Sequence, residues 1–276
     1  MAITSVSQDT KIPDREILDK KIGKRRLEEC PVADEKAIYE QLIAPLESLM
    51  MRSIWRIVRN PEIAEDTLQN ALTDGHGAKT NILPGLLHPK AKLLRGVTDR
   101  PENMMLGIDG TFDAVLFIGY HAKAGTADGV LAHTSSGNVI DLSINGVSLS
   151  EAGYNALIAG LYDVPVVFVA GDNWICRQVK ELFGEVDTVE TKVGMGTAEL
   201  GLHPEEVRSQ IMAEVTSTLR DLSRFKPYKL LPPYTMVLKV KKERDLYPGA
   251  EKTGKNEFTF TSSDFLKVMD AFNKMK

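Results

Sequence analysis

The sequence predicts an α/β fold, and two observations lead to that prediction. The first is a series of short runs rich in β-branched and aromatic residues, at 114–121, 139–146, 164–171, 235–242 and 257–262. The second is a series of segments with helical periodicity, at Leu149 to Leu161, Trp174 to Phe183, Pro204 to Leu222, and Ser263 to Met275, with Ser263 as the expected cap. Alternation of the two patterns is typical of a sheet covered by helices.

The N-terminal quarter of the chain has a different pattern. Residues 1–33 are polar and charged, which predicts a mobile arm or a loosely held helix. From Asp34 to Leu72 apolar residues recur at steps of three and four, which predicts a helix with one apolar face, interrupted and restarted at Asn60-Pro61. We therefore divide the chain into a helical segment, 1–72, and an α/β domain, 73–276. Because this periodicity does not present alternating faces, we expect no strand within residues 38–58.

Composition narrows the class of protein. The chain has 276 residues, 43% of them hydrophobic, which is enough for a large buried core. Its 34 basic and 38 acidic residues give a net charge of -4, so the overall charge does not favour nucleic-acid binding. Cys30 and Cys176 have no zinc-ribbon or disulfide spacing, which favours a cytoplasmic protein. We expect neither a secretory signal nor a membrane span.

Histidines are the first candidates for chemistry. Of the five, three lie in short polar or glycine-flanked contexts: His76, His121 and His133. His121 ends an apolar strand, where a side chain can project into a crevice, although a hydrogen-bonded structural histidine fits the same position. Glu151 opens a helix, where the helix dipole favours an acid; together with His76 and His121 it would instead supply ligands suited to zinc. The other two histidines precede proline and are assigned to turns or helix starts: His88 and His203.

Several motifs in a fixed order favour the metal interpretation. They are Asp74-Gly75-His76-Gly77, Asn81-Ile82-Leu83-Pro84, Leu87-His88-Pro89, Gly119-Tyr120-His121-Ala122, His133, Glu151-x-Gly153-x-Asn155-Ala156, Asp163-Val164-Pro165-Val166 and Gly171-Asp172. In this order they resemble the D-aminopeptidase family of dinuclear zinc metallopeptidases, over roughly residues 73–276. Agreement among several spaced motifs is much more specific than any one of them.

The resemblance implies a set of roles. In that family two zinc ions share a bridging water, and the corresponding metal ligands here are His76, His121 and Glu151. His133 would act at the reacting carbonyl, either by stabilising the oxyanion or by passing a proton to the leaving amine. Asp74 would orient His76 or stabilise a turn. The implied substrates are short peptides with an N-terminal D-residue, and the implied assembly is a homo-oligomer.

One part of the family pattern is missing. Family members begin with a hydrophobic strand that carries Asp-x-Glu, whose carboxylates bind and bridge the metals. Asp14-Arg15-Glu16 has that spelling but follows Lys11-Ile12-Pro13 and lacks the strand, so we set it aside. The expectation is therefore a sheet shortened at its N-terminal side, one zinc or none in place of two, and impaired activity.

A second resemblance covers the segment before the peptidase-like part. Tyr39 to Leu72, especially residues 54–61 and 64–71, resembles region 2 of sigma-70-like transcription factors. It implies contact with RNA polymerase through residues 38–72, although the helix that reads the promoter is missing after Leu72. Trp55 and its apolar neighbours fit ordinary helix packing equally well. The alternatives to a peptidase are therefore an RNA polymerase-binding protein, and a non-catalytic fusion or sequence-assembly junction.

Overall fold

The computed structural model of the protein describes residues 54–56, 90–94, 96 and 98–276. All of them belong to one compact unit, Leu46–Lys276. The predicted boundary between residues 72 and 73, the Asn60-Pro61 turn and His76 lie outside the described residues.

The described elements alternate between strands and helices. In chain order they are β1 (Ile54–Arg56), a 3-10 turn (Asn103–Met105), β2 (Val115–Tyr120), β3 (Val139–Ile144), β4 (Val147–Ser148), α1 (Glu151–Leu161), β5 (Val166–Asp172), α2 (Asn173–Phe183), β6 (Asp187–Met195), β7 (Ala198–Gly201), α3 (Pro204–Thr218), a second 3-10 turn (Leu222–Arg224), β8 (Tyr234–Val240), β9 (Glu251–Gly254), β10 (Glu257–Ser262) and α4 (Phe265–Met275). The predicted α/β class is confirmed.

Two sheets organise these elements. The first has the order β1-β2-β5-β6-β7, with β2, β5 and β6 parallel to one another and β1 and β7 antiparallel at the edges. The second has the order β4-β3-β8-β10-β9 and is antiparallel throughout. The parallel strands matter for function because their carboxyl ends share one edge, where loops can converge on a site.

The central strands are buried on both faces. Every residue of β2 and β5 is buried, as parallel strands covered on both faces require. Val115 and Phe117 point into the core that contains α1, α2, α4 and the second sheet. Leu116 and Ile118, one position away, point into a smaller core formed with α3.

A glycine at the end of β5 permits the close approach of β2. A Cβ atom at Gly171 would overlap the carbonyl oxygen of Tyr120 and lie 2.5 Å from Cγ2 of Ile175. Gly171→Ala is therefore expected to lower the free energy of unfolding by about 3 kcal/mol, because neither backbone can move without breaking the sheet. The measurement is urea denaturation. Gly201→Ala is the control in β7, since nothing lies within 4 Å of its Cβ position; equal stabilities of the two variants would contradict the prediction.

The expectation of an unbroken helix and no strand within residues 38–58 is wrong at Ile54–Arg56. These three residues form β1 and pair antiparallel with β2, with Trp55 opposite Phe117. Isoleucine and tryptophan favour strands, and the exposed hydrogen-bonding edge of β2 gives such a run a partner. Helical periodicity in a short apolar run cannot exclude this pairing.

Other differences are smaller. The cap of α4 is Asp264 and not Ser263, with the Asp264 carboxylate accepting from the N–H of Leu266. α3 ends at Thr218, four residues before the predicted end. Some elements were not predicted from the sequence: the hairpin of β6 and β7, and the short strands β4 and β9. Within the described residues, no helix combines the length and hydrophobicity needed to span a bilayer.

Candidate metal centre

The first histidine of the site is placed by the end of β2. Gly119 adopts a positive φ of 75°, and the pairing of β2 with β5 shifts register between Ile118 and Tyr120. His121 follows directly, at the carboxyl end of the strand, with its side chain 7% exposed. In α/β folds, functional side chains usually lie at the carboxyl ends of the parallel strands.

The second histidine is placed by the loop after β2. The backbone N–H of His133 donates to the carbonyl of Ala122 at 3.3 Å, which brings the far end of the loop back to the strand end. As a result the rings of His121 and His133 stack, with centroids 4.2 Å apart and planes 21° from parallel.

The acid of the site comes from the start of α1. Ser150 caps this helix by accepting the N–H of Gly153. The cap fixes the start of the helix, and Glu151 therefore lies in its first turn. Its Oε1 atom lies 3.7 Å from Nε2 of His121 and 3.4 Å from Nε2 of His133. The separation of His121 and Glu151 is far below the limit of about 8 Å for side chains that share one zinc.

Hydrogen bonds orient both rings toward the same point. Nδ1 of His121 lies 3.1 Å from the carbonyl oxygen of Ala122, and Nδ1 of His133 lies 2.6 Å from that of Leu131. A carbonyl oxygen only accepts, so each Nδ1 carries the proton and each Nε2 presents a lone pair. Burial also lowers the pKa of His121, with Glu151 opposing that shift, and so favours the neutral form that binds metals.

This donor set fits zinc. The ligand atoms of His121, His133 and Glu151 all lie within 4.8 Å of one another. Two atoms each about 2.0–2.1 Å from a tetrahedral zinc are roughly 3.3 Å apart, close to the 3.4 and 3.7 Å separations observed here. Two histidines and one carboxylate are a common ligand set of catalytic zinc, with the fourth position left open.

A buried polar layer lies beneath the acid. Asn155 donates to the hydroxyl of Tyr120 at 3.0 Å, and both residues are fully buried or nearly so. Burial, and next the Glu151 carboxylate, raise the pKa of Tyr120 and of Tyr154. Both phenols therefore stay neutral. The side chain of Ser135 offsets part of this shift at Tyr154.

Two residues that hold the site together were missed as site residues in the sequence. Asp172, buried at the end of β5, accepts from Ala122 N and Val130 N at 3.1 Å each and from Ile175 N at 2.7 Å. It thus fixes both ends of the loop between the two histidines. A strand followed by Asp and a helix is a recognisable N-cap signal. The second residue is Ser135, which donates its backbone N–H to Glu151 at 2.8 Å. No pattern of side chains in the sequence predicts a hydrogen bond from a backbone group of this kind.

The remaining predicted residues are placed less completely. His76 and Asp74 fall in a stretch that the structure does not describe, as does His88, so their roles stay predictions. His203 caps α3, where its ring accepts the N–H of Glu205 at 3.3 Å, which confirms its assignment to a helix start.

Comparisons with known proteins show which family the chain resembles. A family model described as D-aminopeptidase matches residues 41–274. A D-aminopeptidase from Bacillus subtilis (strain 168) is 34% identical over 209 residues, which cover 72% of this chain and 75% of that protein. The solved structure of the Zn-dependent D-aminopeptidase DppA from Bacillus subtilis, a self-compartmentalizing protease, superposes with a TM-score of 0.69 at 32% identity, covering 77% of this chain and 81% of that one. The chain therefore belongs to the D-aminopeptidase family.

Proposed function

We propose that this chain is a zinc-dependent aminopeptidase that removes the first residue from short peptides beginning with a D-residue, and that it works slowly. The observation that carries the proposal is the convergence of His121, His133 and Glu151 on one point. Family membership and the zinc dependence of the similar DppA support the choice of metal and reaction.

Each residue has a distinct part in this proposal. His121 and Glu151 would hold the zinc, with His76 as a further ligand. A bound zinc polarises the scissile carbonyl and lowers the pKa of its water. His133 is held by Leu131 with its unprotonated Nε2 facing the same point. It would first accept a proton there from the attacking water, and would then donate that proton to the developing oxyanion or to the leaving amine.

His133 also has the position of a third ligand, and the two roles predict different results. If His133 acts only on the substrate, His133→Ala lowers the hydrolysis rate and leaves zinc affinity within about twofold of the unmodified protein. If it is a ligand, zinc affinity falls together with the rate, by 10-fold or more, since ligands contribute more than the outer partners that cost about 10 to 100-fold.

The missing Asp-x-Glu unit is the reason to expect slow turnover. Two cations held close together repel each other, and bridging carboxylates normally offset that repulsion. Without them the chain should retain one zinc at most, and activation of water between two metals would be lost.

Metal analysis and peptide hydrolysis test the proposal together. We expect at most one zinc per purified chain, and release of D-alanine from D-alanyl peptides at a rate far below that of a family member with the Asp-x-Glu unit. His121→Ala should abolish the remaining rate. Two tightly held zinc ions with fast, His121-dependent turnover would contradict the impairment and would direct attention to Asp14 and Glu16. No release above the His121→Ala background would contradict the peptidase assignment.

We also propose that the chain forms a homo-oligomer, since the similar DppA is described as self-compartmentalizing. The hairpin of β6 and β7 carries large exposed hydrophobic side chains that suit such an interface: Val193, Met195 and Leu200. Sedimentation at several protein concentrations measures the assembly.

The transcription-factor alternative receives no support from the described part of the chain. Docking of residues 38–72 on RNA polymerase stays a prediction, tested by capture of the polymerase with residues 1–72. Resequencing across codons 70–76 tests the assembly-junction alternative.

A further inference from the structure

The Glu151 carboxylate is oriented by a backbone group in an uncommon conformation. Its Oε1 accepts the N–H of Ser135, whose φ of 62° lies in the left-handed region that serine seldom occupies. A tight bridge between Thr134 and Ser136 flanks that residue. A left-handed serine persists only where its surroundings hold it, so the groups that contact Ser135 help to fix Glu151.

The side chain of Ser135 is held by a lysine that is distant in the sequence but adjacent in the structure. Nζ of Lys276 lies 2.5 Å from Oγ of Ser135 and 2.7 Å from Oδ1 of Asn273. The same ammonium lies 5.1 Å from the ring centroid of Phe272, and the Lys276 backbone continues the hydrogen bonding of α4. Charge-assisted hydrogen bonds are about twice as strong as neutral ones, so this contact can hold a strained residue.

Two hydrogen bonds form a continuous path from Lys276 to Glu151, and the first of them joins residues 141 positions apart in the sequence. Lys276 binds the side chain of Ser135, and the backbone of Ser135 binds the oxygen of Glu151 that faces both histidines. α4 is also packed into the main core through Phe265, Val268 and Phe272, which gives the lysine a rigid base.

We propose that Lys276 is a positioning residue of the metal centre, which fixes Ser135 so that its N–H aims the Glu151 carboxylate at the metal. The proposal rests on the proposed function for its effect on zinc, but the contact itself exists without metal. Removing partners of metal ligands lowers affinity by about 10 to 100-fold; Lys276 acts one contact further out, so we expect about 10-fold.

Two substitutions of lysine by methionine test the proposal, one within α4 and one at the residue that follows it. Lys276→Met should raise the zinc dissociation constant of the full chain about 10-fold, measured by competition with a chromophoric chelator. Lys274→Met is the matched control, because Lys274 pairs with Asp270 and its side chain is 62% exposed. The control should change zinc affinity by less than about twofold, since surface ion pairs contribute little. Lys276→Arg should restore most of the affinity.

A double-mutant cycle separates positioning from a general loss of stability. Ser135→Ala keeps the backbone N–H but removes the oxygen that Lys276 binds, together with the contact of that oxygen with Tyr154. Its effect should therefore be at least that of Lys276→Met, and adding Lys276→Met to it should change nothing further. In the metal-free protein, Lys276→Met should also speed hydrogen exchange of the Ser135 amide, with Lys274→Met leaving it unchanged.

The outcomes distinguish this proposal from the proposed function. Zinc affinity and amide exchange equal to those of Lys274→Met, or fully additive effects in the cycle, would overturn the role of Lys276 alone. Failure of the unmodified chain to bind zinc would overturn the proposed function, while faster exchange at Ser135 in Lys276→Met would still establish the contact.

Discussion

Replacing Glu151 by glutamine is expected to lower zinc affinity by at least about 100-fold and to abolish D-alanyl peptide hydrolysis. The substitution keeps the shape of the side chain and an oxygen that accepts the N–H of Ser135, but it removes the anionic ligand. Loss of a direct ligand should cost more than the 10 to 100-fold found for its partners. Chelator competition measures the affinity, and amine release measures the rate.

The fold should survive this change. Glu151 is buried beside two histidines, which do not offset its negative charge as long as they are neutral. Replacing the charged carboxylate by a neutral amide therefore removes a desolvation cost in the metal-free protein. We expect the melting temperature without zinc to stay the same or rise. Glu190→Gln, on the exposed face of β6, is the control for charge. Zinc affinity in Glu151→Gln equal to that control would rule out Glu151 as a ligand.

Asp172→Ala is expected to lower the free energy of unfolding by about 4 kcal/mol. The change leaves three N–H groups without their hydrogen-bond acceptor, those of Ala122, Val130 and Ile175. Each buried donor left without a partner costs about 1–3 kcal/mol. The loop between the histidines would lose its anchor at both ends, so zinc affinity should fall as well. Urea denaturation of the metal-free protein measures the stability.

Another helix cap provides the comparison. Asp264 caps α4 at an exposed position through a single bond to Leu266, so Asp264→Ala should cost only about 1 kcal/mol. If the two alanine variants lost similar stability, Asp172 would be an ordinary cap and not an anchor of the loop.

The sequence allowed prediction of elements whose pattern is local. β2 and β5 are unbroken apolar runs, and the helix after Ser150 begins with a cap and an acid, so these elements lie close to their predicted bounds. The β6 strand was missed because it alternates only partly, with Val189 and Thr191 buried between polar residues. β1 was misread because the choice between helix and strand there depends on β2, more than fifty residues away.

The site was predictable only in its side chains of distinctive chemistry. His121, His133 and Glu151 were proposed because their motifs, in this order, resemble those of the D-aminopeptidase family, which implies a role in metal chemistry for each of them. The groups that orient these side chains are distant from them in the sequence: the backbone N–H of Ser135, the carboxylate of Asp172, and the ammonium of Lys276. Serine, aspartate and lysine are common surface residues, and their roles depend on contacts that only the folded chain creates.

The pairing of β1 with β2 bears on how the protein can be shortened. β2 is buried on both faces, and β1 occupies the hydrogen-bonding edge that β5 leaves open. A chain that begins at residue 73 keeps all three described metal-site residues but loses β1. An apolar strand with a bare backbone edge is a template for pairing with other molecules, so such a fragment should aggregate. By covering the edge of β2, the short strand β1 thus also protects the protein from aggregation.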